Sequence, residues 1–135
     1  MSDLIECRTC LAADWASAAG WMMNHYSKPF PQDFLPETGI IALVNGIRAC
    51  VIPVYLENSS TVAVLGHCMI NEKLVKRQIV QAVEACMRAA VSFAATQKKK
   101  YVIALFGRNS INRLADKCGF VTADRIEEKF YYIGE

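Results

Sequence analysis

The chain has 135 residues, of which 53% are hydrophobic and 21% charged, and its formal net charge is +2. This composition excludes a disordered polyelectrolyte, and the small charge argues against nucleic-acid binding by bulk electrostatics. We therefore expect a single globular domain spanning residues 1–135. The N-terminus lacks the basic-then-apolar pattern of a signal peptide, and the longest apolar helix pattern carries Glu84 and Arg88. These features predict a soluble, cytosolic protein without a membrane span.

Six cysteines are present, and without a secretion signal they are expected to be reduced, core-filling thiols. They are Cys7, Cys10, Cys50, Cys68, Cys86 and Cys118. Two of them, Cys7 and Cys10, form a C-x-x-C pair. A zinc site would need a second Cys or His pair at matching spacing, which the sequence lacks, so no metal site is expected. A redox pair would sit at a helix start after a strand, and Cys10 is close to such a position.

The first elements are predicted as a short strand, Leu4 to Cys7, and a helix that begins near Leu11 with Thr9 as its cap. Apolar residues at steps of three and four give this helix one buried face. They are Leu11, Trp15, Ala18, Ala19, Met22, Met23 and Tyr26. Trp21 and the two methionines that follow it suit the core, or alternatively the mouth of a substrate site.

The segment from Ser27 to Gly39 is predicted to be irregular. Its prolines, at positions 29, 31 and 36, exclude a helix interior or a central strand. Phe30 and Phe34 are the apolar residues on it. Either this loop closes over a binding site, or it is a connector whose phenylalanines dock on the core.

An antiparallel three-stranded meander is predicted next. Its strands are Gly39 to Val44, Ile47 to Leu56 and Thr61 to Ile70. Asn45-Gly46 between the first two is typical of a type I′ hairpin turn, which needs positive φ at both central residues. Pro53 inside the second strand indicates a bulge or a missing ladder bond.

A strand–turn–helix–strand unit follows, and its crossover makes the flanking strands parallel. The basic turn from Asn71 to Gln78 leads into a long helix whose buried stripe is Ile79, Val83, Cys86, Ala90 and Phe93. Tyr101 to Phe106 is a continuous apolar run, as expected of a strand buried on both faces. Unpaired amides and the positive end of the helix dipole make the basic turn a predicted anion site.

The C-terminal part is predicted to contain one short helix and a final strand or strands. The helix runs from Ile111 to Lys117, and Gly119 is expected as its left-handed C-cap. The last strands are expected within Val121 to Ile133.

This element order resembles the GNAT superfamily of acyl-CoA-dependent N-acetyltransferases over essentially the whole chain. At residue level the resemblance rests on two segments. One is the strand and basic turn from Met69 to Gln78, and the other is Asn109-Ser110-Ile111-Asn112-Arg113-Leu114 with Lys117-Cys118-Gly119-Phe120. A small phage-encoded branch has a similar Asn–Leu–Gly–Phe pattern. The resemblance implies an α+β, α/β/α sandwich-like fold whose central sheet is mixed and mostly antiparallel, with one splayed parallel pair.

The resemblance further implies a site for acetyl-CoA between the splayed strands. The pantetheine arm would bond to main-chain groups near Cys68, Met69 and Ile70, with Gly66 marking the bulge that splaying needs. The pyrophosphate would lie on the amides of Lys73 to Gln78, and Lys76 and Arg77 would add positive charge. Asn109 would reach the cofactor from the start of the following helix.

Direct attack of an amine on the thioester is the chemistry that the resemblance implies. The amine must lose a proton first, so a base is needed. The candidates are Glu72, which also suits a plain helix N-terminal role, and His67, which also suits the core. His25 is expected to cap the first helix. A main-chain N–H on the splayed strand would stabilise the developing oxyanion.

Two positions depart from the family pattern. Gln78 and Val80 stand where the phosphate loop of the family usually has glycines, which narrows the approach to phosphate. Ala115 stands at the position of the usual general-acid tyrosine, so Tyr101, Tyr131 or a water would have to protonate the thiolate.

Three functions are consistent with the sequence. The chain is an N-acetyltransferase acting on a small-molecule or protein amine; or an inactive relative that binds CoA or a protein partner; or an unrelated α+β domain that works through its surface. No P-loop or Rossmann glycine motif is present, which argues against those nucleotide-binding folds. The acceptor is not encoded in any motif. Members of the resembled family often form homodimers through their last strands, so the resemblance implies that this chain can form such a dimer.

Overall fold

The fold is known from a computed structural model that describes residues 2–23, 33, 35–106, 109–122, 131, 133 and 134. Within these residues the elements are β1 (Ile5–Thr9), α1 (Ala12–Met22), β2 (Gly39–Val44), β3 (Ile47–Leu56), β4 (Val62–Leu65), β5 (Met69–Ile70), α2 (Lys76–Thr96), β6 (Tyr101–Ala104) and α3 (Asn109–Lys117). His25, most of the predicted proline-containing loop and most of the predicted last strand lie outside the described residues.

The strands form one mixed sheet in the order β1-β2-β3-β4-β6, and β5 pairs with β3 beside β4. All described pairs are antiparallel except β4 with β6, which are parallel. The predicted mostly antiparallel sheet with one parallel pair is therefore confirmed. The parallel pair is joined by α2, as the crossover predicts.

The hairpin between β2 and β3 turns at Asn45 and Gly46, whose φ angles are 51° and 81°. Both angles are positive, as the predicted type I′ turn requires. The register shifts between Ala42 and Leu43, which pair with Cys50 and Arg48, so Ala49 is the extra residue of a bulge. Of the two alternatives predicted at Pro53, the bulge lies elsewhere, whereas the missing ladder bond agrees with the structure, because Pro53 lies where β3 changes its partner from β5 to β4.

The helices cover the two faces of the sheet. α2 packs on β1, β2 and β3, and its buried residues are Ala82, Val83, Cys86, Met87, Ala90 and Ala94. α3 contacts α2, and α1 lies over β3 and β5 on the opposite face. By length and mean hydropathy (1.2) alone, α2 is long and apolar enough to cross a membrane. Its buried stripe faces the sheet, as in a core helix.

The structure corrects three details of the predicted burial. Leu11 and Met23, expected on the buried face of α1, are 62% and 53% exposed. Thr9 ends β1 and is not a cap; the carboxylate of Asp14 instead accepts a hydrogen bond from the Leu11 amide at 2.7 Å. Residues 101–106 were predicted to be buried on both faces, but Tyr101 is 64% exposed. The reason is that α1 covers β3 and β5 on its side of the sheet and does not extend over β6.

Candidate functional site

A cleft opens where β4 and β6 stop pairing. The parallel ladder runs from Val62 with Tyr101 to Leu65 with Ala104, and the Leu105 amide then donates to the Leu65 carbonyl at 2.9 Å. Past this bond, the chain on the β4 side continues as β5, whose described pairing is with β3 alone. The two parallel strands therefore splay toward the start of α2, as the resemblance implies.

The break between β4 and β5 begins at Gly66. A Cβ added there would lie 2.9 Å from Cε2 of Tyr55 and 3.3 Å from Cγ of Pro53. The Gly66 amide donates to the Pro53 carbonyl at 3.0 Å, which keeps the backbone close to β3 at that point. Glycine is needed because the tyrosine ring occupies the space of a side chain. The strand predicted from Thr61 to Ile70 is therefore divided into β4 and β5, with the interruption beginning at Gly66, where the resemblance implies a bulge.

The main chain of Ile70 faces the cleft. Asn71 donates its amide to the Ala49 carbonyl of β3 at 2.8 Å, and Ile70 is the partner of Cys50. In an antiparallel ladder the N–H and C=O groups of successive residues point to opposite sides. The N–H and C=O of Ile70 therefore point away from β3, toward the place left open by β6.

The other two predicted partners of the pantetheine arm are oriented differently. Met69 is fully buried in the cluster under α1, and its main chain faces β3 by the same alternation. Cys68 is 6% exposed, and its side chain belongs to the core cluster under α2. Of the three residues, Ile70 is the one whose main-chain groups are directed into the cleft.

The first turn of α2 lies directly after β5 and the turn that follows it. α2 begins at Lys76, and its N-cap residue, Val75, provides no side-chain cap. The amides of the first helical turn, those of Lys76, Arg77 and Gln78, have no acceptor within the helix. The amide of Lys73 donates to Oδ1 of Asn71 at 3.1 Å. The anion site was predicted to include the amides of Lys73 to Gln78. The Lys73 amide is not available to an anion, because it already donates to the side chain of Asn71.

The positive charge at this turn comes from exposed side chains. Lys73, Lys76 and Arg77 are all exposed. Nη2 of Arg77 lies 3.3 Å from Oδ2 of Asp3, which precedes β1. The pKa of Asp3 is lowered, mainly by the hydrogen bond that its carboxylate accepts from the Asn45 side chain. The ionised carboxylate partly neutralises the charge of Arg77. The two lysines are therefore the stronger contributors of positive charge.

The two predicted general bases lie at different distances from the break. His67 lies in the break itself, one residue after Gly66, and is half-buried. Glu72 is exposed in the turn between β5 and α2, beside the predicted anion site. A carboxylate in that place would repel a phosphate, so the geometry favours His67.

The structure does not bring the predicted proton donor Tyr101 to the cleft. Tyr101 pairs with Val62 at the closed end of the parallel ladder. Tyr131 is 86% exposed. Ala115 is buried in α3 and has no ionisable group. Asn109 is the first residue of α3, which begins two residues earlier than the predicted Ile111, and its side chain lies outside the described part.

Tyr55 lies beside the start of the cleft and was not among the residues predicted from the sequence. It lies on β3 opposite Val64, and its ring contacts the position where Gly66 lacks a side chain. The phenol oxygen is two bonds from Cε2, so it lies near the point where the cleft begins. The Asn45-Gly46 turn fixes the register of β3, but no motif marks Tyr55 as functional.

The C-x-x-C pair is divided between the two faces of the sheet. Cys7 packs against the core cluster under α2, whereas Cys10 packs against the cluster under α1. Burial raises the pKa of Cys10 to about 12, which makes its thiol unreactive at neutral pH. The six cysteines are free thiols, as expected.

Solved structures that are similar to this fold include acetyltransferases. No family model and no curated protein matches the chain. Ard1 from Thermoplasma volcanium is similar at a TM-score of 0.68 and 19% identity, over 89% of this chain and 84% of that one. The ribosomal-protein-alanine N-acetyltransferase of Brucella melitensis biovar Abortus 2308 is similar at 0.68 and 12% identity, over 95% and 99%.

An aminoglycoside N-acetyltransferase, AAC(6')-Iy, is similar at a TM-score of 0.64 and 12% identity, over 98% of this chain and 96% of that one. That structure was solved in complex with CoA. Similarity at identities this low establishes a shared fold. It does not show that the proteins share a substrate.

Proposed function

We propose that this chain, which has the fold of the GNAT acetyltransferases, transfers an acyl group from acyl-CoA to an amine. One observation carries the proposal: β4 and β6 separate at a strand break whose open end faces the uncapped start of α2. Strand edges with free main-chain groups and an anion-binding helix start are what a pantetheine arm with a pyrophosphate requires.

The residues around the cleft fit the chemical groups of acetyl-CoA. The N–H and C=O of Ile70 match the amide groups of a pantetheine arm. The first-turn amides of α2, together with Lys76 and Lys73, suit the pyrophosphate. When bound, acetyl-CoA supplies an acyl group activated as a thioester.

The chain itself must remove a proton from the amine and return one to the leaving thiolate. We assign the first task to His67, because it lies in the break itself and a neutral imidazole nitrogen can accept a proton. Main-chain N–H groups within the break are the donors for negative charge on the carbonyl oxygen. We assign the second task to Tyr55, because Ala115 cannot perform it and Tyr101 lies at the far end of the ladder.

The thermal unfolding midpoint with and without CoA or acetyl-CoA tests the proposed cofactor. A ligand at a hundredfold its Kd stabilises the native state by about 2.7 kcal/mol. For a domain of this size that corresponds to a shift of about 5 °C. No shift at millimolar CoA would contradict the assignment of the cleft.

Release of free CoA thiol from acetyl-CoA, measured across a panel of primary amines, tests the reaction. Turnover with any amine above the hydrolysis background supports the acyltransferase. A clear thermal shift without turnover on any amine or protein substrate would instead support a CoA-binding module without activity.

A further inference from the structure

A buried carboxylate holds two arginines together on the α1 face of the sheet. Asp14 is fully buried, and Nη1 and Nη2 of Arg8 lie 2.5 and 3.2 Å from its two oxygens. Nε of Arg48 lies 2.7 Å from Oδ1 of the same carboxylate. Burial of Asp14 raises its pKa, but the bonds from Arg8, the Leu11 amide and Arg48 outweigh this and hold the pKa well below its usual range. Two guanidinium groups thus share one carboxylate, and the cluster keeps excess positive charge.

The bulge in β3 is what places Arg48 in this cluster. Cys50, Ile52 and Val54 face α2, and regular alternation would put residue 48 on that same face. The extra residue, Ala49, shifts the alternation, so that Arg48 faces α1 instead. Asn71 fixes the position, because its Nδ2 donates to the Arg48 carbonyl at 3.0 Å.

The arginines line a concavity of about 510 Å³ between the end of α1 and the sheet. Its walls also include Trp21, Leu43 and Asn71. The side chains of Arg8 and Arg48 are 39% and 41% exposed. Arg48 bonds to Asp14 through Nε, and no other bond of its guanidinium joins it to a described residue. Its Nη1 and Nη2 pair is the geometry that binds a carboxylate through two parallel bonds.

We propose that this concavity is a subsite for a carboxylate of the amine acceptor, bound by Arg48 with Arg8 beside it. The assignment to the acceptor rests on the proposed function, whereas binding of a carboxylate does not. The concavity lies in the α1 layer, across the sheet from α2, so it is separate from the anion site at the start of that helix. Asn71, which is part of its wall, directly follows β5, the strand that borders the cleft.

The spacing limits the kind of acceptor. Gly66 marks the closed end of the cleft, and Asn71 lies five residues further along. At about 3.3 Å per residue the separation is roughly 16 Å at most. The anionic group and the reacting amine of the acceptor are therefore expected to lie within this distance of each other.

Titration with sodium acetate, followed through the arginine Nε–Hε resonances in ¹H–¹⁵N NMR spectra, tests the site without requiring turnover. Sodium chloride at equal ionic strength is the reference. We expect saturable shifts of the Arg8 and Arg48 signals, at least a tenfold weaker affinity in Arg48→Gln, and an intermediate loss in Arg48→Lys, which keeps the charge. Arg113→Gln, an exposed arginine of α3, is the matched control and is expected to bind acetate normally.

The same titration at saturating CoA distinguishes the two sources of an anion. Acetate binding that persists beside CoA supports the acceptor subsite. Displacement of acetate by CoA but not by 3′-dephospho-CoA would assign the site to the cofactor's 3′-phosphate and overturn the acceptor assignment. Shifts that do not saturate, or that Arg48→Gln leaves unchanged, would overturn the anion site itself. If CoA fails to bind, the proposed function fails, while the acetate titration still decides the anion site.

Discussion

Gly66 shows how a single missing side chain shapes the cleft. The ring of Tyr55 and the ring of Pro53 both lie against the space that its Cβ would occupy. The resemblance implies a bulge at this residue, and a glycine inside an apolar strand often marks a bulge or a close approach of the backbone. The identity of the approaching group, Tyr55, depends on the pairing of β3 with β4 and has no local signature.

Gly66→Ala is expected to destabilise the fold by about 1–3 kcal/mol, because the tyrosine ring must move. The same change is expected to lower kcat/KM for acetyl transfer, since the cleft begins at this residue. Urea unfolding and steady-state kinetics measure the two effects. Gly20→Ala is the matched control: it adds a methyl group in open space within α1, and is expected to stabilise the chain by about 0.5–1 kcal/mol. Equal behaviour of the two variants would contradict the packing argument.

Tyr55→Phe is expected to lower kcat about 100-fold with little change in KM for acetyl-CoA, because it removes a proton donor and keeps the ring. Steady-state kinetics across pH 6 to 10 measure the change. Tyr101→Phe, at the closed end of the ladder, is expected to behave as wild type. A fully active Tyr55→Phe variant would remove Tyr55 from the proposed chemistry.

At the level of elements, the helix that follows the broken strand provides the proposed anion site. The sequence predicts α2 and its basic start because the apolar stripe and the cluster of Lys and Arg are local patterns. It does not predict which amides are available. Asn71 uses its side chain to bond the Lys73 amide and the Arg48 carbonyl, and this arrangement depends on β3 lying beside the turn.

Lys76→Ala is expected to weaken CoA binding about tenfold, because the loss of one charged hydrogen bond costs about 1.5 kcal/mol. Arg77→Ala is expected to have a smaller effect, since Asp3 already neutralises part of its charge. Isothermal titration calorimetry at low and high salt measures both, and the difference between wild type and Lys76→Ala is expected to shrink at high salt. Lys100→Ala, beyond the other end of α2, serves as the control. A larger loss for Arg77→Ala than for Lys76→Ala would contradict this assignment of charges.

At the scale of the whole molecule, the order and type of the elements follow from the sequence, while the polar interior does not. The hairpin, the crossover and the helix stripes are set by neighbouring residues. The burial of Asp14 was not foreseen. Its two arginines come from different strands, and one of them reaches it through a bulge that no sequence pattern announces. Long-range pairing of charges is decided by tertiary structure.

The stability of the folded chain is expected to fall in acid partly because of Asp14. Its carboxyl pKa is lower in the folded chain than the unfolded value of about 3.9. The resulting stabilisation is complete above the unfolded pKa and is lost as the pH falls from there through the folded pKa. Asp14→Asn is expected to cost about 2 kcal/mol at pH 7 and to flatten the decline below about pH 4. Urea unfolding between pH 7 and pH 2.5 measures this. A decline as steep as that of wild type in Asp14→Asn would show that other carboxyls cause it.

Pro53 helps to keep the cleft open in the absence of a ligand, and this affects how fast a ligand can bind. The carbonyl of Pro53 faces β4, and a different residue there would also present an N–H to the gap between β4 and β5. Proline has none, so this position leaves no unsatisfied donor, and no bond from it can draw β4 and β5 into one continuous strand alongside β3. The cleft is therefore pre-organised. Binding therefore requires no prior separation of paired strands. Association is expected to be a single exponential phase whose rate rises linearly with ligand concentration.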